Sequence, residues 1–137
     1  MSVLYVETSA LLKRYVQESE SAHCQSILDA HTHWITSRIT VTETLINLRK
    51  RLSRSEFAIA SKLFEADISA FNIVEFDSIL SVQAANINSD IGLATLDSIH
   101  LASALRTKSA GMAFLTYDKR LGIAAKKCGL QILGVQK

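Results

Sequence analysis

Five short runs of apolar, β-branched and aromatic residues, separated by longer segments with helical spacing, constrain the fold of this chain more than any other feature. Each run is too short for a helix and is apolar on both faces, which is typical of a buried parallel strand. The predicted strands cover residues 3–6, 33–36, 72–76, 112–116 and 130–135. Because they alternate with helices, they predict an α/β fold with a mostly parallel five-stranded sheet that helices flank on both faces.

The segments between the strands carry apolar residues three and four positions apart, the spacing of an amphipathic helix. Hydroxyl residues near their starts are candidate N-caps: Thr8 or Ser9, Thr40 or Thr42, Ser55, and Thr95. The predicted helices cover residues 10–16, 19–30, a segment from 40 or 42 to 52, and then 55–70, 78–91, 95–106 and 118–128. The chain has no proline and five glycines, so few residues can form turns and the connections must be short.

The size and composition predict one domain over residues 1–137. A chain of 137 residues that is 48% hydrophobic can bury one core, whereas two separate cores would be marginal. No apolar run is long enough for a membrane span, and the first residues lack the basic start of a signal peptide. Cys24 and Cys128 match no metal or disulfide spacing, so we expect reduced thiols in a cytoplasmic protein.

Four of the thirteen acidic residues lie in apolar surroundings, where solvated carboxylates are not expected. Glu7 ends the first predicted strand, Asp118 ends the fourth, and Glu43 and Asp97 lie in apolar helical segments. Each has a simpler explanation: Asp118 as a helix cap, and Asp97 and Glu43 as acids that favour the helix dipole. Glu7 is harder to explain in this way, because a carboxylate at the end of a buried strand needs a partner or a cation.

These acids are expected at the same edge of the sheet, beyond the carboxyl ends of the strands, where ligands bind in parallel α/β folds. Two carboxylates about 4 Å apart repel by roughly 4 kcal/mol at an effective dielectric constant of about 20. Four carboxylates together therefore predict a divalent cation. Because the ligands would all be oxygen atoms, Mg²⁺ or Mn²⁺ is favoured over zinc.

Four segments around these acids resemble PIN-domain nucleases, in particular the VapC-type toxins of toxin–antitoxin pairs. The segments are residues 5–13 (YVETSALLK), 37–43 (SRITVTE), 95–105 (TLDSIHLASAL) and 115–121 (LTYDKRL). They occur in the order and at the spacing of the family, and the resemblance covers nearly the whole chain. One position differs, because the family usually has aspartate where this chain has Glu7, which moves the carboxylate by roughly 1.5 Å.

The resemblance implies a metal-dependent endoribonuclease in which Glu7, Glu43, Asp97 and Asp118 form the catalytic acidic pocket. Glu7 and Asp97 would bind Mg²⁺ or Mn²⁺ directly, and Glu43 and Asp118 would bind it through water or hold a second ion. Ser9 and Thr116 are candidates for orienting these carboxylates, although ordinary capping explains them equally well. Lys13, Arg14, Lys119 and Arg120 follow the acids and are candidates for RNA contact.

His100 follows Asp97 by three residues and lies near it on the predicted helix. A metal-ligand or general-base role and a packed, hydrogen-bonded role are both open, and we favour the packed role. Phosphodiester hydrolysis at a Mg²⁺ site needs no imidazole.

The resemblance also implies a small cognate antitoxin protein as a partner, and we predict a homodimer. The apolar stripe Leu11, Leu12, Tyr15 and Val16 is a candidate wall for the groove that holds the antitoxin. Two alternatives remain at this point. One is an RNA-processing PIN nuclease without an antitoxin, and the other is an RNA-binding or scaffold protein whose altered first acid has weakened catalysis.

Overall fold

The computed structural model describes residues 2–135 and has an α/β fold built on a five-stranded sheet. The strands are β1 (Val3–Val6), β2 (His33–Ser37), β3 (Asn72–Val74), β4 (Ala113–Thr116) and β5 (Gln131–Gly134). Their order across the sheet is β3-β2-β1-β4-β5, and every neighbouring pair is parallel. The prediction of a parallel sheet flanked by helices is therefore confirmed.

Seven helices lie between the strands in the described part of the chain. They are α1 (Thr8–Tyr15), α2 (Ser21–Asp29), α3 (Arg38–Arg51), α4 (Arg54–Ala70), α5 (Ser78–Ile91), α6 (Thr95–Arg106) and α7 (Lys119–Lys127). No helix within residues 2–135 has the length and apolar character needed to cross a membrane.

Both faces of the sheet are buried, because successive side chains of a strand point to opposite sides. On β1, Leu4 and Val6 pack with α1, α2 and α4, whereas Tyr5 packs with α5, α6 and α7 on the other face. All three side chains are fully buried. The result is three layers, with the central strands β1 and β4 in the middle of the core.

Several helices begin at residues other than the predicted caps. Ser37, Ser53 and Ala94 precede α3, α4 and α6, in place of Thr40 or Thr42, Ser55 and Thr95. Glu7 itself caps α1, where Thr8 or Ser9 was predicted. The reason at α1 and α3 is the same: the chain passes from strand to helix without a loop, so the residue that follows or ends the strand becomes the cap.

The predicted groove wall on α1 makes many of its contacts inside the protein. Leu11 and Leu12 are buried, and the ring of Tyr15 packs edge-on against Phe64 of α4 with centroids 5.5 Å apart. Val16 packs with Leu12 in the cluster that joins α1, α3 and α4. Only the half-buried Tyr15 and Val16 leave part of the stripe at the surface for a partner.

Gly134 is the last residue of β5 and pairs with Thr116 of β4, next to the site, where there is no room for a side chain. Its φ is +97°, and a Cβ atom there would lie 2.4 Å from the backbone oxygen of Thr116 on β4. We expect Gly134→Ala to reduce the free energy of unfolding by about 2–4 kcal/mol, from backbone strain and the clash together.

Urea denaturation of Gly134→Ala beside Gly111→Ala tests this expectation. Gly111 also has a positive φ, +80°, but no described atom lies within 4 Å of its added Cβ. The control should therefore lose only about 1–2 kcal/mol from the backbone. Equal losses in the two variants would contradict the clash.

Candidate acidic site

The four predicted acids lie around the point where the strand order reverses, between β1 and β4. Glu7 follows β1, Asp118 comes two residues after β4, and Asp97 lies in the first turn of α6. Glu43 differs from the prediction, because α3 begins at Arg38 and places it in the second turn of the helix rather than the first. This edge of the sheet is where open parallel sheets bind their ligands.

Glu7 is 6% exposed and is held by three donors. Its Oε1 accepts hydrogen bonds from the hydroxyls of Ser9 and Thr116, the latter at 2.6 Å, and its Oε2 accepts from the backbone N–H of Ser9 at 3.1 Å. The Ser9 hydroxyl in turn accepts from the N–H of Tyr117 at 2.9 Å. The two hydroxyl residues predicted to orient the acids therefore both contact Glu7 and tie it to β4.

Glu43 is oriented from two sides. Its Oε1 accepts from the Thr8 hydroxyl at 2.6 Å and from Nε2 of His100 at 2.8 Å. Partial burial alone would raise the pKa of this carboxyl, but the hydrogen bonds from His100 and Thr8 outweigh that effect and the pKa is lowered. Glu43 is therefore an ionised group at neutral pH.

Asp97 is the least supported of the four carboxylates. Within residues 2–135 it accepts no hydrogen bond, and its side chain is half-buried. Burial raises its pKa, and the negative charges of Asp118, Glu7 and Glu43 raise it further. The nearby negative charges disfavour the ionised form of Asp97. A bound cation would relieve this repulsion between like charges.

Asp118 caps α7 through one oxygen, as the simpler explanation predicted. Its Oδ1 accepts from the N–H of Leu121 at 3.1 Å, and its own N–H donates to the Thr116 hydroxyl. Its Oδ2 accepts no hydrogen bond within the described residues. A capping role and a role in the acidic site are therefore compatible in this side chain.

The carboxylate oxygens of the site suit a hard divalent cation in chemistry and charge, but they do not surround a single position that a cation could occupy. The oxygens that no described residue occupies are both of Asp97, Oδ2 of Asp118 and Oε2 of Glu43. Within residues 2–135, no three acidic, histidine or cysteine side chains converge closely enough to hold a metal ion as they stand. Glu7, Glu43 and Asp118 are each held in place by hydrogen bonds of their own, whereas Asp97 is not.

Three further residues, His100, Tyr5 and Thr8, complete the site. Only His100 was considered from the sequence as a possible site residue. His100 is buried and both its ring nitrogens are engaged, which agrees with a packed role. Its partners are Tyr5, Thr8 and Glu43 rather than the neighbouring Asp97. The i+3 spacing from Asp97 revealed that His100 lies near the site, but its partners come from β1, α1 and α3.

The four predicted basic residues fall into two pairs. Lys13 is buried, with Nζ 3.0 Å from Oε1 of Glu20, and Arg14 forms a two-bond ion pair with Asp67 of α4. Their charges are already neutralised by partners. Lys119 and Arg120 are exposed in the first turn of α7, and within residues 2–135 neither forms an ion pair.

The fold and the site together define a class: an α/β protein with a carboxylate cluster at the switch point of a parallel sheet. The PIN-domain family model matches residues 4–127. The chain therefore belongs to the PIN-domain family, which confirms the resemblance seen in the sequence. A curated relative, Ribonuclease VapC35 of Mycobacterium tuberculosis, is 34% identical over 135 residues, covering 96% of both chains.

Solved structures share the fold at lower identity. FitAcB from Neisseria gonorrhoeae has a TM-score of 0.77 at 18% identity and covers 96% of each chain. A toxin–antitoxin complex from Klebsiella pneumoniae has a TM-score of 0.65 at 19% identity, covering 85% of this chain and 87% of that one.

Proposed function

We propose that this protein is a divalent-metal-dependent endoribonuclease and the toxin of a toxin–antitoxin pair. The observation that carries the proposal is the placement of four carboxylates at the sheet's switch point, where burial first and then the charges of Asp118, Glu7 and Glu43 raise the pKa of Asp97. Buried charges in proteins are usually paired or coordinate metals, and a bound cation would neutralise this cluster. The names of the curated ribonuclease relatives supply the substrate class.

Each acid has a distinct part in this mechanism. Asp97 offers two free oxygens and is proposed as a direct ligand of Mg²⁺ or Mn²⁺, with Glu7 as the second. Glu43 and Asp118 each offer one free oxygen and are proposed to hold water or a second ion. When bound, such an ion lowers the pKa of an attacking water and neutralises charge that builds up on the phosphate oxygens.

The surrounding residues keep these carboxylates in place. Ser9 and Thr116 are proposed to fix the Glu7 side chain so that it does not rotate away when the phosphate approaches. Lys119 and Arg120 are proposed to attract the RNA backbone toward the site, because they are the exposed cations next to Asp118. The free Cys24 and Cys128 suit the reducing cytoplasm.

An antitoxin and a second copy of the chain are the proposed protein partners. The similar structure from Klebsiella pneumoniae is a toxin–antitoxin complex, and the surface of this chain retains large apolar side chains outside α1. On α4, Ile59 is 75% exposed, and on α5, Ile79 and Val82 are 65% and 60% exposed. We propose these helices, in place of the α1 stripe, as the interaction surfaces.

The test of the function is metal dependence of both stability and cleavage. We expect millimolar Mn²⁺ to raise the melting temperature, because a ligand that binds only the folded state stabilises it. Cleavage of a labelled RNA pool should stop in EDTA and return with added Mg²⁺ or Mn²⁺. An unchanged melting temperature together with EDTA-resistant cleavage would overturn the proposal.

A further inference from the structure

His100 lies at the centre of the site although it was not needed for the proposed chemistry. Its side chain is 1% exposed, and its ring joins β1 to α3. The Tyr5 hydroxyl lies 2.9 Å from Nδ1, and Glu43 Oε1 lies 2.8 Å from Nε2. Nε2 is also 3.2 Å from the Thr8 hydroxyl and 3.9 Å from Oε2 of Glu7.

The donors and acceptors in this chain of contacts can be assigned outward from Glu43. The ionised Glu43 carboxylate only accepts, so Nε2 of His100 must carry the proton. In the tautomer that carries its proton on Nε2, Nδ1 is an acceptor and the Tyr5 hydroxyl donates to it. The Thr8 hydroxyl gives its single proton to Glu43, so both donors converge on Oε1 of that carboxylate. His100 consequently has no lone pair facing the acids and is not a metal ligand in this arrangement.

Tyr5 is a rigid support for this ring. It is fully buried, stacks parallel to Phe114 with centroids 5.1 Å apart, and meets the His100 ring edge-on at 6.2 Å. Burial of a phenol hydroxyl and an imidazole among apolar side chains is unfavourable unless each finds a partner. Leucine or phenylalanine would fill the same space, so packing alone does not explain these two polar groups.

We propose that Tyr5 and His100 form a positioning pair that fixes the Glu43 carboxylate through its Oε1 and leaves Oε2 free for the metal site. The inference rests on the proposed function and adds two residues that never touch the phosphate. A glutamate side chain has three rotatable bonds, and two converging donors restrict them before the cation arrives. Groups that orient a metal-binding carboxylate typically change metal affinity or activity by about 10- to 100-fold when removed.

The main test compares Tyr5→Phe with Tyr15→Phe. Both changes delete one hydroxyl from a tyrosine that bonds a side chain, but Tyr15 bonds Asp67 on the far side of α1. We expect Tyr5→Phe to weaken Mn²⁺ binding in calorimetric titration by about tenfold or more. Tyr15→Phe should stay within about twofold of the unchanged protein. Equal Mn²⁺ affinity in Tyr5→Phe and the unchanged protein, or equal losses in both variants, overturns the proposal.

A second pair of variants covers failure of Tyr5→Phe to fold. The amide of His100→Gln can still donate to Glu43, whereas His100→Leu cannot, so Mn²⁺ affinity and cleavage should be higher in the glutamine variant. Equal values in the two overturn the proposal. If the unchanged protein binds no Mn²⁺, or if Asp97→Asn cleaves as the unchanged protein does, the proposed function has failed instead.

If the proposed function fails, the positioning pair can still be tested by a measurement that needs no metal. The ¹⁵N spectrum of the His100 ring should show the Nε2-protonated form in the unchanged protein, and Glu43→Gln should shift the Nε2 signal. A ring protonated at Nδ1, or a Nε2 signal that is insensitive to Glu43, overturns the assignment.

Discussion

Asp97→Asn is expected to reduce metal-dependent RNA cleavage by about a thousandfold. Neither carboxylate oxygen of Asp97 accepts a hydrogen bond from a described residue, and a bound cation contributes several kcal/mol to the transition state. A loss of about 4 kcal/mol corresponds to roughly a thousandfold in rate. Single-turnover cleavage of a labelled RNA pool, with Mg²⁺ and with Mn²⁺, measures this loss.

The same substitution should stabilise the metal-free protein at neutral pH. The pKa of Asp97 is raised in the folded state by burial and by neighbouring negative charges, so the folded protein holds this proton more tightly than the unfolded chain does. Ionised Asp97 therefore lowers stability at pH 7, and that penalty disappears as the pH falls below the ordinary aspartate value of 3.8. Asp97→Asn removes the penalty, so its melting temperature should exceed that of the unchanged protein at pH 7 but not at pH 3.5.

Asp90→Asn is the matched control, because Asp90 is an exposed aspartate on α5 away from the site. It should leave cleavage unchanged and move the melting temperature little. Equal cleavage by the unchanged protein, Asp97→Asn and Asp90→Asn would point to a contaminating nuclease or to a wrong site.

The sequence predicted the order of the strands and helices because burial on both faces of a central strand leaves an unmistakable apolar run. It also predicted the acids, since a carboxylate after such a run stands out. The exact helix starts were less predictable. Around α3, Thr36, Ser37, Thr40 and Thr42 all carry capping hydroxyls, and the sheet register decides among them. At α4, Ser53 and Glu56 form a capping box whose spacing was visible in the sequence.

The residues behind the acids were harder to predict, because their contacts join distant parts of the chain. In the sequence Tyr5 looks like one more apolar strand residue. Its hydroxyl nevertheless contacts the ring of His100, which lies 95 positions later in the chain. Arg14 follows an acid in the sequence, but the turn of α1 carries it toward α4 and Asp67. Spacing along one helix reveals which residues share a face. It does not reveal which other element covers that face.

Glu7→Gln is expected to reduce cleavage about as strongly as Asp97→Asn does. Unlike Asp97→Asn, it should lower the stability of the metal-free protein. Removal of one negative charge, considered alone, would relieve repulsion in the site and would be expected to raise stability. The structure reverses that expectation, because Glu7 accepts three hydrogen bonds and caps α1. An amide nitrogen placed against these donors should cost about 1–2 kcal/mol, the usual loss for a removed N-cap. Thermal denaturation without metal measures it, and an increase in melting temperature would contradict the capping role.

Glu7→Asp tests whether the longer side chain is an adaptation or a defect. The charge is kept, but the carboxylate is drawn back by roughly one C–C bond of 1.5 Å. Ser9 and Thr116 are placed for the oxygens of a glutamate, with the Thr116 bond at 2.6 Å, so the shorter side chain loses these contacts or pulls out of the site. We therefore expect cleavage to fall by about 10- to 100-fold, the sensitivity of catalysis to a displacement of about 1 Å.

Glu65→Asp, an equal shortening at an exposed position on α4, should leave the rate unchanged. Mn²⁺ binding should persist in Glu7→Asp because the charge is the same. Faster cleavage by Glu7→Asp than by the unchanged protein would mean that Glu7 has attenuated the enzyme. Cleavage by Glu7→Asp but not by the unchanged protein would favour the scaffold alternative. In that case the surrounding hydroxyls hold the Glu7 carboxylate where it cannot bind the metal ion.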